Sequence, residues 1–235
     1  MTSGSPASCP FVAGSKIEES WRFVGRKDEL HAIASRMSGV PPTSVNVVGD
    51  KRIGKSSLLY HFSQTWEKRV PEPSCYVVVY LSLQDADCHS EMGFYQAVAE
   101  ALLSRVSGWK LGLRNPLKAK PLHRQALSDA IKQWKQQGVL PVLCLDDFER
   151  ILKRTEEFDN GFYDNLRSLM DDNALMLVVA SCKELSVYGS EYRFVSQFFN
   201  LDSVMSLTLQ IALRLRWLLK TRYNIIQLNF HFLIH

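Results

Sequence analysis

The octapeptide Gly49-Asp50-Lys51-Arg52-Ile53-Gly54-Lys55-Ser56 constrains this chain more than any other feature, because it fills every fixed position of GxxxxGK[ST]. Such a loop works only between a strand and a helix, where its backbone N–H groups converge on phosphate oxygens at a helix N-terminus and the helix dipole favours negative charge. Both flanks are present: Ser44 to Val48 is short and β-branched, as a buried strand should be, and Lys55 to Trp66 reads as a helix. Gly49 and Gly54 allow a close, partly left-handed backbone. Lys55 is placed to reach the β- and γ-phosphates of a nucleotide, and Ser56 to ligate Mg2+. Asp50, Lys51, Arg52, Ile53 and Ser57 complete the set of cofactor-binding candidates in the loop.

The rest of the chain alternates in the same way. Asp28 to Met37 places Leu30, Ile33, Ala34 and Met37 at helical spacing, and Gly39-Val40-Pro41-Pro42 ends that helix. A strand is expected over Cys75 to Leu83, helices over Gly93 to Val106 and Leu122 to Gln137, and a third strand over Val139 to Leu145, starting near Pro141. Phe158 to Met170 reads as a helix, Ala174 to Ala180 as a fourth strand, and Ser203 to Leu209 as a fifth. Strands that are apolar throughout and separated by helices imply parallel pairing with right-handed crossovers and helices on both faces. The expected fold class is α/β: a three-layer P-loop NTPase fold with a parallel five-stranded sheet flanked by helices.

A phosphate loop needs an acid at the end of another buried strand to hold the magnesium shell. Val142-Leu143-Cys144-Leu145-Asp146-Asp147 meets that need. Asp146 is the candidate metal carboxylate, and Asp147 the residue that orients the attacking water, with Glu149 as a substitute. Two adjacent carboxylates beside phosphates repel each other unless a cation lies near them, which favours a metal over a solvated acidic turn. The expected cofactors are therefore ATP and Mg2+, with adenine preferred because no NKxD-type loop follows Val179-Ala180. Ser181, at that strand end, is either a sensor of the γ-phosphate or a turn-capping serine.

Charge and composition remove several other classes. The balance of 28 Lys+Arg and 24 Asp+Glu gives +4, and all four excess bases fall in residues 203–235, where there is no acid. Five scattered cysteines, Cys9, Cys75, Cys88, Cys144 and Cys182, show neither a disulfide framework nor zinc spacing, so reduced thiols and a cytoplasmic setting are expected. No secretory leader or transmembrane segment is expected. Residues 101–128 carry Arg105, Lys110, Arg114, Lys118, Lys120 and Arg124 with no acid, but Trp109 is the only aromatic there. A solvated loop is favoured over a nucleic-acid patch.

Taken in order, Pro10 to Gly14, Phe23-Val24-Gly25-Arg26-Lys27-Asp28-Glu29-Leu30, the phosphate loop, Leu145 to Glu149 and Leu177 to Ser181 resemble the AAA+-related signal-transduction ATPases of the STAND type. The resemblance covers residues 10–209 and implies the strand order 5-1-4-3-2. It further implies that Val24, Gly25 and Arg26 line the adenine side of the pocket. Cys182 and Lys183 stand where that family often has an arginine; Arg193, and more weakly Arg167, are candidates for a finger toward a neighbouring nucleotide or are surface arginines. Hydrolysis is expected to be slow. The catalytic candidates are thus Lys55, Asp147, Ser181 and Arg193.

The chain divides into an irregular lead-in (1–20), the ATPase domain (21–209) and a basic apolar tail (210–235), which stands where a lid domain should begin. That tail reads as a truncated end, as a first lid helix, or as an amphipathic helix with Leu213 and Trp217 beside Arg214, Arg216 and Lys220. The expected function is an ATP/Mg2+ switch whose partners are ATP and ADP, a second copy or an effector protein. A DNA-associated AAA+ ATPase and a degenerate core acting as a scaffold are the alternatives, and nucleic acid is the less favoured partner.

Overall fold

The structure, a computed structural model, describes residues 16–106, 113–114, 116–118, 122–201 and 203–208. The Pro10 to Gly14 element, Trp109, Lys110 and Lys120 of the basic stretch, and the tail from Gln210 to His235 lie outside the described residues.

Strands β1 (Val45–Val48), β2 (Tyr76–Ser82), β3 (Leu140–Asp146), β4 (Met176–Ser181) and β5 (Val204–Ser206) form one sheet in the order β2-β3-β4-β1-β5. Every pairing is parallel, as the strand–helix alternation requires. Helices α1 (Lys27–Met37), α2 (Lys55–Thr65), α3 (Glu91–Arg105), α4 (Arg124–Gln136), α5 (Glu149–Leu152), α6 (Asn160–Asp171) and α7 (Leu185–Glu191) cover it. The expected strand order is the observed one.

Alternation along the strands sorts the core into two layers. Val45, Val47, Val78, Val142, Cys144, Met176, Val178 and Ala180 face α1 and α2, meeting Leu30, Ile33, Leu58, Leu59 and Phe62. Val77, Val79, Leu143, Leu145, Leu177 and Val179 face the other way, toward the helices that carry Phe94, Leu127, Trp134, Phe162 and Leu185. Helix starts are set locally: the Ser90 hydroxyl accepts from Gly93 N (3.1 Å) and the Asp159 carboxylate from Phe162 N (2.7 Å), each capping a first-turn donor.

The differences from the sequence reading are at the edges. Pro141 is the second residue of β3, opposite Val77; the ladder with β4 begins one residue later, at Val142 and Met176, so the missing N–H is tolerated. Strand β5 is only three residues long, shorter than the segment expected. The four-residue α5 and the seven-residue α7 went unread because neither is long enough to show a period. Cys75, Cys88, Cys144 and Cys182 are free thiols, and no helix among the described residues is long and apolar enough to cross a membrane.

Candidate functional site

The loop between β1 and α2 leaves the sheet at its C-terminal edge. Gly54 enters α2 at φ 102°, and Arg52 is also left-handed at φ 66°. No side chain caps the N-terminus of α2, and its first turn holds no acid, so its leading N–H groups face outward without an internal acceptor from a side chain. A Cβ on Gly49 would lie 3.0 Å from Ile53 Cγ2 and 3.1 Å from the Leu207 carbonyl, so any side chain there would require its neighbours to yield by a few tenths of an ångström. Lys55 Nζ donates back to the Gly49 and Asp50 carbonyls at 2.6 and 3.0 Å and lies 3.9 Å from Cys182 Sγ. Asp50, Lys51 and Arg52 are exposed. Ser57 is buried and its hydroxyl accepts from Ile17 N at 2.9 Å, which ties the lead-in to α2 instead of facing the loop.

Asp146 ends β3 beside this loop and is only 3% exposed. Tyr80 Oη donates to its Oδ2 at 2.8 Å, and Ser56 hydrogen-bonds it from the start of α2. Burial pushes the Asp146 carboxyl above its ordinary range, and the Ser56 and Tyr80 hydrogen bonds oppose that rise. Asp147 follows at φ 54° and accepts from Gln84 Nε2 at 2.5 Å. Glu149 Oε1 accepts from Cys182 Sγ at 3.1 Å, while its Oε2 is buried with no partner among the described residues.

Ser181, at the end of β4, is fully buried: its hydroxyl donates to the Lys183 carbonyl (2.6 Å) and accepts from Asn46 Nδ2 (2.8 Å). Asn46 Oδ1 in turn accepts from Leu185 N (3.0 Å), so this asparagine and this serine brace the turn that presents Cys182 to Lys55. These contacts brace the turn that follows β4. Arg193 is exposed at φ 57°, and Arg167 is held by Asp171 at 2.9 Å.

Gly25 (φ 85°) and Arg26 (φ 59°) form a left-handed corner after the half-buried Val24. Arg26 is 8% exposed, pairs with Glu29 at 2.8 Å, and donates to the Ile53 carbonyl of the loop (3.2 Å) and the Thr208 carbonyl beyond β5 (2.7 Å). Phe23 stacks on His61 of α2 with centroids 4.1 Å apart. The site thus gathers the loop, Asp146, Asp147, Ser181 and the Val24–Arg26 corner at one edge of the sheet. Sequence reasoning missed Tyr80, Asn46 and Gln84. A polar residue inside an otherwise apolar strand was the signal for the first two.

The profile of the AAA domain family matches residues 41–187, a span that holds the loop, Asp146 and the β4 end. The chain belongs to that family. Among solved structures, this AAA domain is similar to the Aeropyrum pernix ORC1 protein in complex with DNA: 17% identity over 86% of this chain and 50% of that one, TM-score 0.57. It is also similar to the Aeropyrum pernix ORC2 protein in ADPNP–ADP complexes (16% identity, 84% and 50% coverage, TM-score 0.58). A third similar structure is CDC6P of Pyrobaculum aerophilum (11% identity, 78% and 45% coverage, TM-score 0.51). The chain spans about half the length of these structures, and at such identities the likeness shows the fold. No curated protein matches the chain.

AAA domains in general use nucleotide and Mg2+, and the residues of this one fit both. A deeply buried carboxylate held by neutral donors is costly until a cation approaches it, and the partnerless Glu149 Oε2 is a buried acceptor awaiting a donor. The uncapped start of α2 and the glycine-dependent curve of the loop leave donors for an anion.

Proposed function

We propose that residues 21–209 are an ATP- and Mg2+-binding switch module of a STAND-type signalling regulator with slow hydrolysis, acting where reduced thiols persist, in the cytoplasm. The observation that carries this reading is the Arg26 side chain, which links the loop (Ile53 carbonyl) to the chain leaving β5 (Thr208 carbonyl). A change in the loop on nucleotide binding is thereby communicated to the segment that continues from the domain, where a self-association or effector element would attach.

In this reading the N–H groups of Gly49 to Ser57 cradle phosphates, and Lys55 exchanges its two loop carbonyls for phosphate oxygens. Ser56 and Asp146 hold Mg2+, which when bound supplies charge neutralisation for the phosphates. Asp147, kept in place by Gln84, orients the attacking water, with the free Glu149 oxygen as the second acceptor nearby. Val24, Gly25 and Arg26 border the adenine. Arg193, whose exposed side chain has no partner among the described residues, is the residue to reach a neighbouring copy. Cys182 and Lys183, and not an arginine, directly follow β4, and this supports slow turnover.

A DNA-associated AAA+ ATPase is the second reading, favoured by the likeness to ORC1 in complex with DNA. Against it, Arg124 of the basic stretch is already engaged by Glu91 at 2.6 Å and Asp159 at 2.9 Å. Calorimetry of ATP with and without Mg2+ on the full chain and on Lys55→Ala tests the proposal. Mg2+-dependent binding that Lys55→Ala weakens roughly 10- to 100-fold, with no salt-sensitive DNA binding, is expected, since charge-assisted hydrogen bonds contribute about 1.5–3 kcal/mol. No ATP binding by the folded parent would reject the switch and leave the scaffold; DNA-stimulated hydrolysis would favour the second reading.

A further inference from the structure

Strand alternation puts Tyr80 and Asp146 on the same face of the sheet. Tyr76, Val78 and Tyr80 of β2 look toward α2, as do Val142, Cys144 and Asp146 of β3. In the register, Tyr80 pairs with Cys144 and Ser82 with Asp146, so Tyr80 lies diagonally across from the carboxylate, a span that an aromatic side chain covers. Its hydroxyl completes the reach, 2.8 Å from Asp146 Oδ2.

Tyr80 is itself gripped. The Tyr60 ring from α2 meets it edge-on, with centroids 5.5 Å apart at 89°, and Lys16 Nζ sits 4.8 Å from the centroid of each ring. The adjacent Ile17 N–H is fastened to Ser57 Oγ at 2.9 Å, so the lysine is delivered to the two tyrosines by a segment anchored on α2. This cation takes the ring faces and leaves the carboxylate alone: Lys16 pairs with Glu18 at 3.6 Å, and among the described residues Asp146 has no salt bridge. The acid that ends β3 is therefore held by neutral donors only, Tyr80, Ser56 and the Asp147 backbone N–H. Neutral donors orient a carboxylate without cancelling its charge, which remains available for a cation.

We propose that Tyr80 is a positioning residue for the metal-side carboxylate: its hydroxyl fixes the rotation of Asp146, and Lys16 and Tyr60 fix Tyr80. This rests on the ATP/Mg2+ reading above. A carboxylate turns about its last torsion with little resistance, so the donor on one oxygen, here Tyr80 on Oδ2, biases which way the other points. Outer partners of this kind typically control metal affinity about 10- to 100-fold.

The test is the binding of a fluorescent ATP analogue to the full chain, titrated with Mg2+ and repeated in EDTA, for the parent, Tyr80→Phe and Lys16→Ala, with circular dichroism to confirm folding. Tyr80→Phe keeps the ring that Lys16 and Tyr60 pack on. It should leave affinity in EDTA within about twofold while raising the Mg2+ midpoint roughly tenfold. Lys16→Ala should shift the midpoint in the same direction by a smaller factor. A Tyr80→Phe midpoint equal to that of a Mg2+-dependent parent overturns the proposal and leaves the ATP reading standing. So does equal weakening with and without Mg2+, which is what a merely structural tyrosine would give. A folded parent that shows no Mg2+ dependence removes the ATP/Mg2+ reading, and this inference with it.

Discussion

The two faces of the sheet are built differently. On one, Phe94, Tyr95, Phe158, Phe162, Tyr163, Phe194, Phe198 and Phe199 pack ring against ring, with neighbouring centroids 4.8–6.4 Å apart. On the other, α1 and α2 cover the strands mainly with Leu, Ile, Ala and Met, and Phe62 and Trp66 are its only buried rings among the described residues. The loop, Asp146 and Tyr80 all belong to the second face, while the first contributes Asn46 and Ser181 from beneath. The contrast assigns stability chiefly to the aromatic face and ligand-responsive chemistry to the aliphatic one, where a helix N-terminus has room to adjust.

Three substitutions sharpen or break that division. The largest effect is expected from Phe162→Ala, whose ring touches Phe94, Phe158 and Tyr163: unfolding in urea should show a loss of about 3–5 kcal/mol. Its nucleotide affinity, measured where the protein is still folded, should stay at the parent value, and a large change would mean that the two faces are coupled. Next comes Asn46→Ala, which strips partners from the Ser181 hydroxyl and Leu185 N within the sheet. Denaturant melts should show a loss of about 2–3 kcal/mol, because a buried donor left unpaired keeps its full desolvation cost. Here nucleotide affinity should fall too, since the brace aims Cys182 at Lys55.

The smallest effect belongs to His61, which stacks on Phe23 and whose pKa is lowered from 6.5, first by partial burial and then by Arg69. The folded state therefore binds this proton less readily than the unfolded one, so the stabilisation is complete above the unfolded value and is lost as pH falls below 6.5 toward the lower folded value. Thermal melts from pH 7.5 to 5 should decline less steeply for His61→Phe, which keeps the stack and removes the titration. Identical slopes would show that the histidine is solvated.

Much of this was legible beforehand, and for local reasons. The GxxxxGK[ST] spacing, the apolar strand ending in Asp146 and the helical spacing of Leu30, Ile33, Ala34 and Met37 each act over a few residues, so sequence proximity carries them. Ser57 and Ser181 were harder. Both stand at motif-compatible positions, and their hydroxyls also meet Ile17 N and Asn46 Nδ2, partners 40 and 135 residues away that spacing along the chain does not reveal. Arg124 likewise reads as one more base in a basic run until folding brings Glu91 to it.

By itself, the sequence determined the succession of strands and helices, the loop between β1 and α2, and the acid at the end of β3, because periodicity and turn chemistry are short-range. Only the tertiary structure decided that Tyr80 meets Asp146, that Cys182 meets Glu149 beneath Lys55, and that Arg26 spans from the loop to Thr208. Those pairs are separated by 66, 33 and 182 residues, and they exist only because parallel pairing in the order β2-β3-β4-β1-β5 brings the strand ends into register on one edge.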